Sequence, residues 1–215
     1  LQMRLDALDK YHARAMADNW GPSIAGLDLD HISTFVSPKT KQAKSWDDVP
    51  ADIKDTFDRL GIPEAERESL AGVGAQYDSE IVYHNMREEV AKQGVVYTTI
   101  EDALHDPQWE PVVHEYFGTL IPPTDHKFAA LHYAVWSGGS FVYVPAGVTL
   151  DYPLQSYFRL NAEGAGQFEH TLIIVEPGAD LHFIEGCSAP KYFAANLHAG
   201  AVELFVKDGA RLRYS

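Results

Sequence analysis

The sequence predicts a mainly β protein, a parallel β-helix built on a 31-residue repeat and preceded by an α-rich N-terminal region. The first observation is the repeat itself. Val144-Pro145-Ala146-Gly147-Val148-Thr149-Leu150-Asp151-Tyr152 returns as Val175-Glu176-Pro177-Gly178-Ala179-Asp180-Leu181-His182-Phe183 and again as Val206-Lys207-Asp208-Gly209-Ala210-Arg211-Leu212-Arg213-Tyr214. A fixed period in this range marks an array whose units bury their faces on one another. The second observation is alternation after each glycine: Leu150 and Tyr152, Leu181 and Phe183, Leu212 and Tyr214 share one side, while Asp151, His182 and Arg213 point outward. The third is the run before each glycine, such as Leu172-Ile173-Ile174-Val175, which is apolar on both faces as in parallel strands covered on both sides.

Ahead of the repeat the pattern is helical. Ile53, Phe57 and Leu60 keep helical spacing between Pro50 and Gly61, and Pro63 opens a second helix. Residues from about Asp78 to Gln93 read as a third helix ended by Gly94, and Val95-Val96-Tyr97 as a short strand. Glu110 to Phe117 reads as a helix stopped by Gly118. Pro122-Pro123 marks a boundary, which divides the chain into an α-rich region, 1–121, and the first coils of the β-helix, 122–215. Phe128 to Val135, a short helix or strand, leads into Ser137-Gly138-Gly139 and the first coil. Tyr143, Ile174 and Phe205 form a column that packs against a helical layer or a partner. Ser215 falls in mid-strand, so the natural chain is expected to continue into the rest of the core and a C-terminal helical domain.

Composition narrows the function. A formal net charge of -14 lacks the basic footprint that nucleic acid or an anionic membrane surface requires, which leaves proteins or cations as partners. No apolar run is long enough to span a membrane and no leader pattern opens the chain, although Leu1 rather than methionine leaves room for a preceding segment. One cysteine excludes an internal disulfide framework and fits a reducing compartment.

That cysteine, Cys187, lies in Glu185-Gly186-Cys187-Ser188-Ala189-Pro190, a composition that predicts a loop between coils, where scaffolds tend to carry their chemistry. The bland reading is a small buried hydrophobe. Thiolate character depends on neighbouring cations; Arg159 and Lys191 are candidates, with Glu185 opposing them. In Tyr157-Phe158-Arg159-Leu160-Asn161, Arg159 and Asn161 share the face opposite Leu160. Whether that face is inward or solvated is open from pattern alone. The ten histidines are scattered without ligand spacing. No phosphate loop, paired-cysteine motif or serine nucleophile elbow is present. Asp151 with Asp180 gives little support to a polysaccharide-binding or polysaccharide-cleaving protein.

Phe128-Ala129-Ala130-Leu131, Trp136-Ser137-Gly138-Gly139-Ser140-Phe141-Val142-Tyr143-Val144-Pro145, Gly166-Gln167-Phe168-Glu169 and the blocks around Arg159, Asn161 and Cys187 resemble the SufB/SufD family of iron–sulfur cluster assembly scaffolds. The blocks around Arg159, Asn161 and Cys187 favour its SufB branch over SufD. The resemblance implies a right-handed β-helix core and a non-enzymatic scaffold working with the SufC ATPase and with SufD or a second SufB. A cysteine desulfurase system, SufS with SufE or SufU, supplies sulfur. It implies Cys187 as persulfide acceptor, Arg159 and Asn161 along the sulfur-transfer path, a transient iron–sulfur cluster whose ligands lie after Ser215, reduced FAD in the complex, and a bacterial or archaeal cytoplasm, with a plastid as the other location. Two positions depart from the family pattern: His170, where Arg is more common, and His132, where Asn is usual.

Overall fold

The computed structural model describes residues 1–16, 23–24 and 26–215. Helix α1 (Gln2–Ala13) is followed, after irregular chain, by α2 (Ala51–Arg59) and α3 (Ile62–Ser69). Ile53 and Phe57 point into the protein as their spacing predicts, whereas Leu60 is left exposed. Gly61, with φ at +72°, turns α2 into α3 at a backbone angle that costs glycine little.

Next come strands β1 (Gly72–Tyr77) and β2 (Glu80–Met86), the short α4 (Glu88–Ala91), β3 (Val96–Thr99), and helices α5 (Ile100–His105) and α6 (Glu110–Tyr116). The helix expected over 78–93 is therefore divided: its first half forms strand β2, and only Glu88–Ala91 is helical. Ile81, Val82 and Tyr83 favour the pleated conformation, and Asp78, at φ +54°, makes the tight turn that folds β2 back on β1. Helix α7 (Lys127–Val135) resolves the helix-or-strand segment as a helix.

The remaining strands are β4 (Ser140–Val144), β5 (Leu154–Arg159), β6 (Gly166–Gln167), β7 (His170–Val175), β8 (Asp180–Ser188), β9 (Leu197–His198), β10 (Ala201–Val206) and β11 (Arg211–Tyr214). They form a five-stranded sheet in the order β11-β8-β5-β1-β2, a four-stranded sheet in the order β10-β7-β4-β3, and the pair β6-β9.

The mainly β parallel β-helix expected from the repeat is not what the chain forms. Helix and strand each account for 29% of the described residues, and the sheets are open and mixed. The reason lies in the region expected to be helical: its strands β2 and β3 pair antiparallel with β1 and β4 and occupy the outer edges of the two large sheets. Strands from both sides of Pro122 thus share both large sheets.

The 31-residue spacing survives as strand register. Phe141 lies beside Leu172, His170 beside Ala201, and Asp180 beside Arg211. One pair differs: Leu154 of β5 lies beside Phe183 of β8, a spacing of 29. The first unit accordingly holds two extra residues at its corner, so Leu154 rather than Tyr152 takes the inward place and Tyr152 is exposed. Because side chains alternate, a slip of two keeps every residue of β5 on its proper side.

Apolar side chains fill three layers of contact. Between the sheets lie Val142, Val144, Leu154, Ile173, Val175, Leu181 and Phe183. On the outer side of the larger sheet, α2 and α3 bring Ile53, Phe57 and Ile62 against Val73 and Ala75. On the outer side of the smaller sheet, α5 and α6 cover the column Tyr143, Ile174 and Phe205, with Trp109 and Tyr116 ring centroids 4.9 and 4.6 Å from Tyr143 and Phe205. The expected helical layer over that column is present. Gly139, at φ +101°, is required where the chain enters β4, since a Cβ there would lie 2.1 Å from the backbone oxygen of His170. No described helix is long and apolar enough to cross a membrane.

Candidate functional site

Cys187 is not on a loop. Strand β8 runs on to Ser188 because β5 continues beside it, with Phe158 next to Cys187, Arg159 next to Ser188, and the Leu160 N–H donating to the Ser188 carbonyl at 3.0 Å. Leu181 and Phe183 of β8 are buried between the sheets, and the alternation of a strand carries Glu185 and then Cys187 onto that same inward side. Their neighbours Ser156 and Phe158 are buried there. Cys187 is exposed.

The electrostatics around the thiol come from acids. Burial pushes the Cys187 pKa up, and the charges of Glu169 and Glu185 push it further. Glu185 itself is raised to about 7, first by burial and then by Glu169; Thr171 Oγ1 donates to its Oε2 at 3.0 Å. Glu169 is only 2% exposed. Its Oε1 is paired with His198 Nε2, while its Oε2 is buried without a hydrogen-bond partner. Burial would lower the His198 pKa, but the bond to Glu169 and the charges of Glu169 and Glu185 outweigh it and raise the imidazole. Gly200 makes room for this pair, since a Cβ there would fall 2.2 Å from Glu169 Oε1. Chemically, the group joins a nucleophile that is a thiol at rest to a carboxyl poised near neutrality and a carboxylate–imidazole pair.

Arg159 and Asn161 lie on the other side. Arg159 alternates with the buried Phe158 and faces outward beside Tyr77 of β1. Its Nη1 donates to Ser188 Oγ at 2.9 Å and its Nε is buried without a partner. The Asn161 N–H donates to Asp78 Oδ1 at 2.6 Å, and the Asn161 carbonyl accepts from the Tyr192 hydroxyl. The structure therefore brings Arg159 one residue away from Cys187 along β8 but across the sheet from it, and Asn161 is held at the β1–β2 turn. Glu185 entered the sequence reading only as an opposing charge, and Glu169 and His198 did not enter this site at all. The alternation Leu181, Phe183, Glu185, Cys187 was the available signal for Glu185; nothing in the spacing signals the other two.

A second buried polar group joins the two departures from the family pattern. His132 Nδ1 bonds the Ala199 carbonyl at 2.9 Å, His132 Nε2 meets His170 Nδ1 at 3.0 Å, and His170 Nε2 meets Glu203 Oε2 at 3.0 Å. Glu203, wholly buried, also accepts the N–H groups of Gly118, Leu120 and Ile121 at 2.7, 2.7 and 3.0 Å. Burial alone would raise its pKa, but His170 and these backbone donors hold it below the usual carboxylate range. Burial takes His132 down to about 3. Three hydrogen bonds thus run from the Ala199 carbonyl through both imidazoles to Glu203, and burial lowers the His170 pKa against the opposing pull of Glu203. Among the described residues no group of three or more His, Cys, Asp or Glu is placed to hold a metal ion. Asp180 and Arg211 face each other at 3.7 Å on the exposed flank.

Known proteins resemble this chain along its whole length. A family profile described as "SUF system FeS cluster assembly, SufBD core domain" matches residues 158–215. The chain is similar throughout to the iron–sulfur cluster assembly protein SufB of Bacillus subtilis, with 50% identity covering 46% of that protein. Iron–sulfur cluster assembly SufBD family proteins of Staphylococcus epidermidis and Staphylococcus aureus are 49% and 48% identical, again across all of this chain and 46% of theirs. The chain thus spans about half the length of the curated relatives it matches.

Proposed function

Starting from the premise that this chain belongs to the SufB/SufD family of iron–sulfur cluster assembly proteins, we propose that it forms the sulfur-receiving part of an assembly scaffold, with Cys187 as the acceptor. The observation that carries this reading is the placement of the chain's single cysteine: exposed, at the end of a rigid strand, beside a carboxyl that titrates near neutrality. A thiolate attacks a persulfide as it attacks a disulfide, so one accessible cysteine suffices to receive a sulfur atom. The donor is a cysteine desulfurase system of the SufS–SufE or SufS–SufU kind, and the sulfur passes on to a cluster that is cargo rather than a resident cofactor.

The scaffold performs no hydrolysis; ATP is turned over by a SufC partner, with SufD or a second SufB completing the complex in a bacterial cytoplasm. Arg159 keeps the end of β8 in place through Ser188, and Asn161 fixes the end of the β5 segment at the Asp78 turn, so both shape the sulfur path from across the sheet. The test is persulfide formation in the full-length protein supplied with desulfurase and cysteine. Mass spectrometry is expected to find one added sulfur on the wild type and none on Cys187→Ala; equal loading of both overturns the reading.

A further inference from the structure

The thiol that this reading needs as a nucleophile is held protonated by its surroundings, so a proton must leave before sulfur can be accepted. We propose that Glu185 takes the Cys187 proton during sulfur transfer and returns it to the departing donor thiolate. This rests on Cys187 being the acceptor. Three features of the geometry favour Glu185. Two positions apart on β8, Glu185 and Cys187 project on one side of the strand. Thr171 Oγ1, from the facing sheet, anchors Glu185 Oε2 at 3.0 Å, and the Tyr214 side chain also hydrogen-bonds Glu185, so the carboxyl is held in place beside the strand end that carries the thiol. Glu169, buried and with Oε2 unpartnered, raises the pKa of both Glu185 and Cys187 through its charge, while its other oxygen is occupied by His198.

The remaining ionisable groups that act on Glu185 are His198 of β9, Tyr214 of β11 and Tyr97 of β3. Both tyrosines are raised well above their ordinary range by burial and stay neutral, so neither competes as a base. Arg159 lies across the sheet.

Glu185 carboxylate removes the proton of the Cys187 thiol, and the thiolate attacks the terminal sulfur of a donor persulfide, R–S–SH. A new S–S bond forms on Cys187 as the donor's S–S bond breaks with its electron pair on the donor sulfur. Glu185 then protonates R–S⁻, giving Cys187–S–SH and R–SH with no net oxidation.

The test uses Glu185→Gln in the full-length protein, an isosteric change that retains an acceptor for Thr171. Two rates are compared with wild type at pH 7: alkylation of Cys187 by iodoacetamide, which reads the standing thiolate, and persulfide loading from the desulfurase. Removing a neighbouring negative charge lowers a thiol pKa, so alkylation is expected to rise a few-fold. Loading is expected to fall by about ten-fold or more, at the lower reach of general acid–base catalysis, and Glu185→Asp to recover part of it. Loading that rises in step with alkylation overturns the proposal, because Glu185 then acts only as a repelling charge; the acceptor reading survives that result. Wild type that loads no better than Cys187→Ala overturns both, and alkylation slowed in Glu185→Gln overturns the proposal by showing that the carboxyl does not raise the thiol pKa.

Discussion

Two buried glutamates lead opposite lives. Glu203 is closed: His170 and the N–H groups of Gly118, Leu120 and Ile121 saturate it. Glu169 is open: one oxygen meets His198 and the other meets nothing. A saturated carboxylate ties chain segments together and offers no capacity for chemistry. An unsaturated one perturbs whatever ionises near it, here Glu185 and Cys187. The difference separates a fastening from a site more clearly than burial does, since both acids are hidden from water.

The sharpest way to break this contrast is to remove Glu203. Glu203→Ala strands three backbone donors and the buried His170 imidazole in the interior, and is expected to cost about 3–5 kcal/mol, read by urea denaturation. Next comes the histidine pair. Asn at 132 or Arg at 170 alone is expected to cost about 1–3 kcal/mol, since each leaves a buried polar group without its partner. His132→Asn with His170→Arg together should cost less than the sum of the two, a coupling measurable by a double-mutant cycle.

Opposite pH slopes provide the third contrast. The folded chain keeps a proton on Glu185 up to about 7, where an ordinary glutamate, at 4.5, has lost it. The native state binds more protons between those values, so this contribution to stability falls as pH rises through the window. Glu203, held below the ordinary value, contributes stability that is present above that value and is lost as pH falls through its folded pKa. Glu185→Gln should therefore flatten the decline toward pH 7 without touching the acid limb, as followed by thermal melts across pH. The smallest effect is expected at Glu169→Gln, within about 1 kcal/mol because an oxygen without a partner gives up no bond. Its signature is kinetic instead: Cys187 should alkylate faster at pH 7, since one repelling charge is gone.

Much of the fold was legible in the sequence where a pattern repeats. Gly147, Gly178 and Gly209 announced the register of β4, β7 and β10, and Tyr143, Ile174 and Phe205 announced a face that needed helices over it. The β1–β2 hairpin was not legible, because Asp78 to Gln93 has charges at intervals that suit a helix, while the preference of Ile81, Val82 and Tyr83 for a strand is expressed only beside β1. Tyr152 misled because an insertion of two residues leaves the local alternation intact while moving the inward place to Leu154. For the site, Cys187 could be singled out by its rarity, but Glu169 and His198 meet across 29 residues through the β6–β9 pairing, which no local pattern encodes. His132 and His170 were each visible as departures from the family pattern. That they touch was not.

The corner between Leu150 and Leu154 works like a reading frame with a word length of two. Residues can be gained or lost there in pairs at little cost to β5 and the strands beyond it. A single deletion among Asp151, Tyr152 and Pro153 would shift the frame of β5, turning Arg159 toward the core and Phe158 toward α2, with no residue of the site itself altered. Which side of the sheet carries a given chemistry is thus decided by whether a distant turn has an odd or an even count.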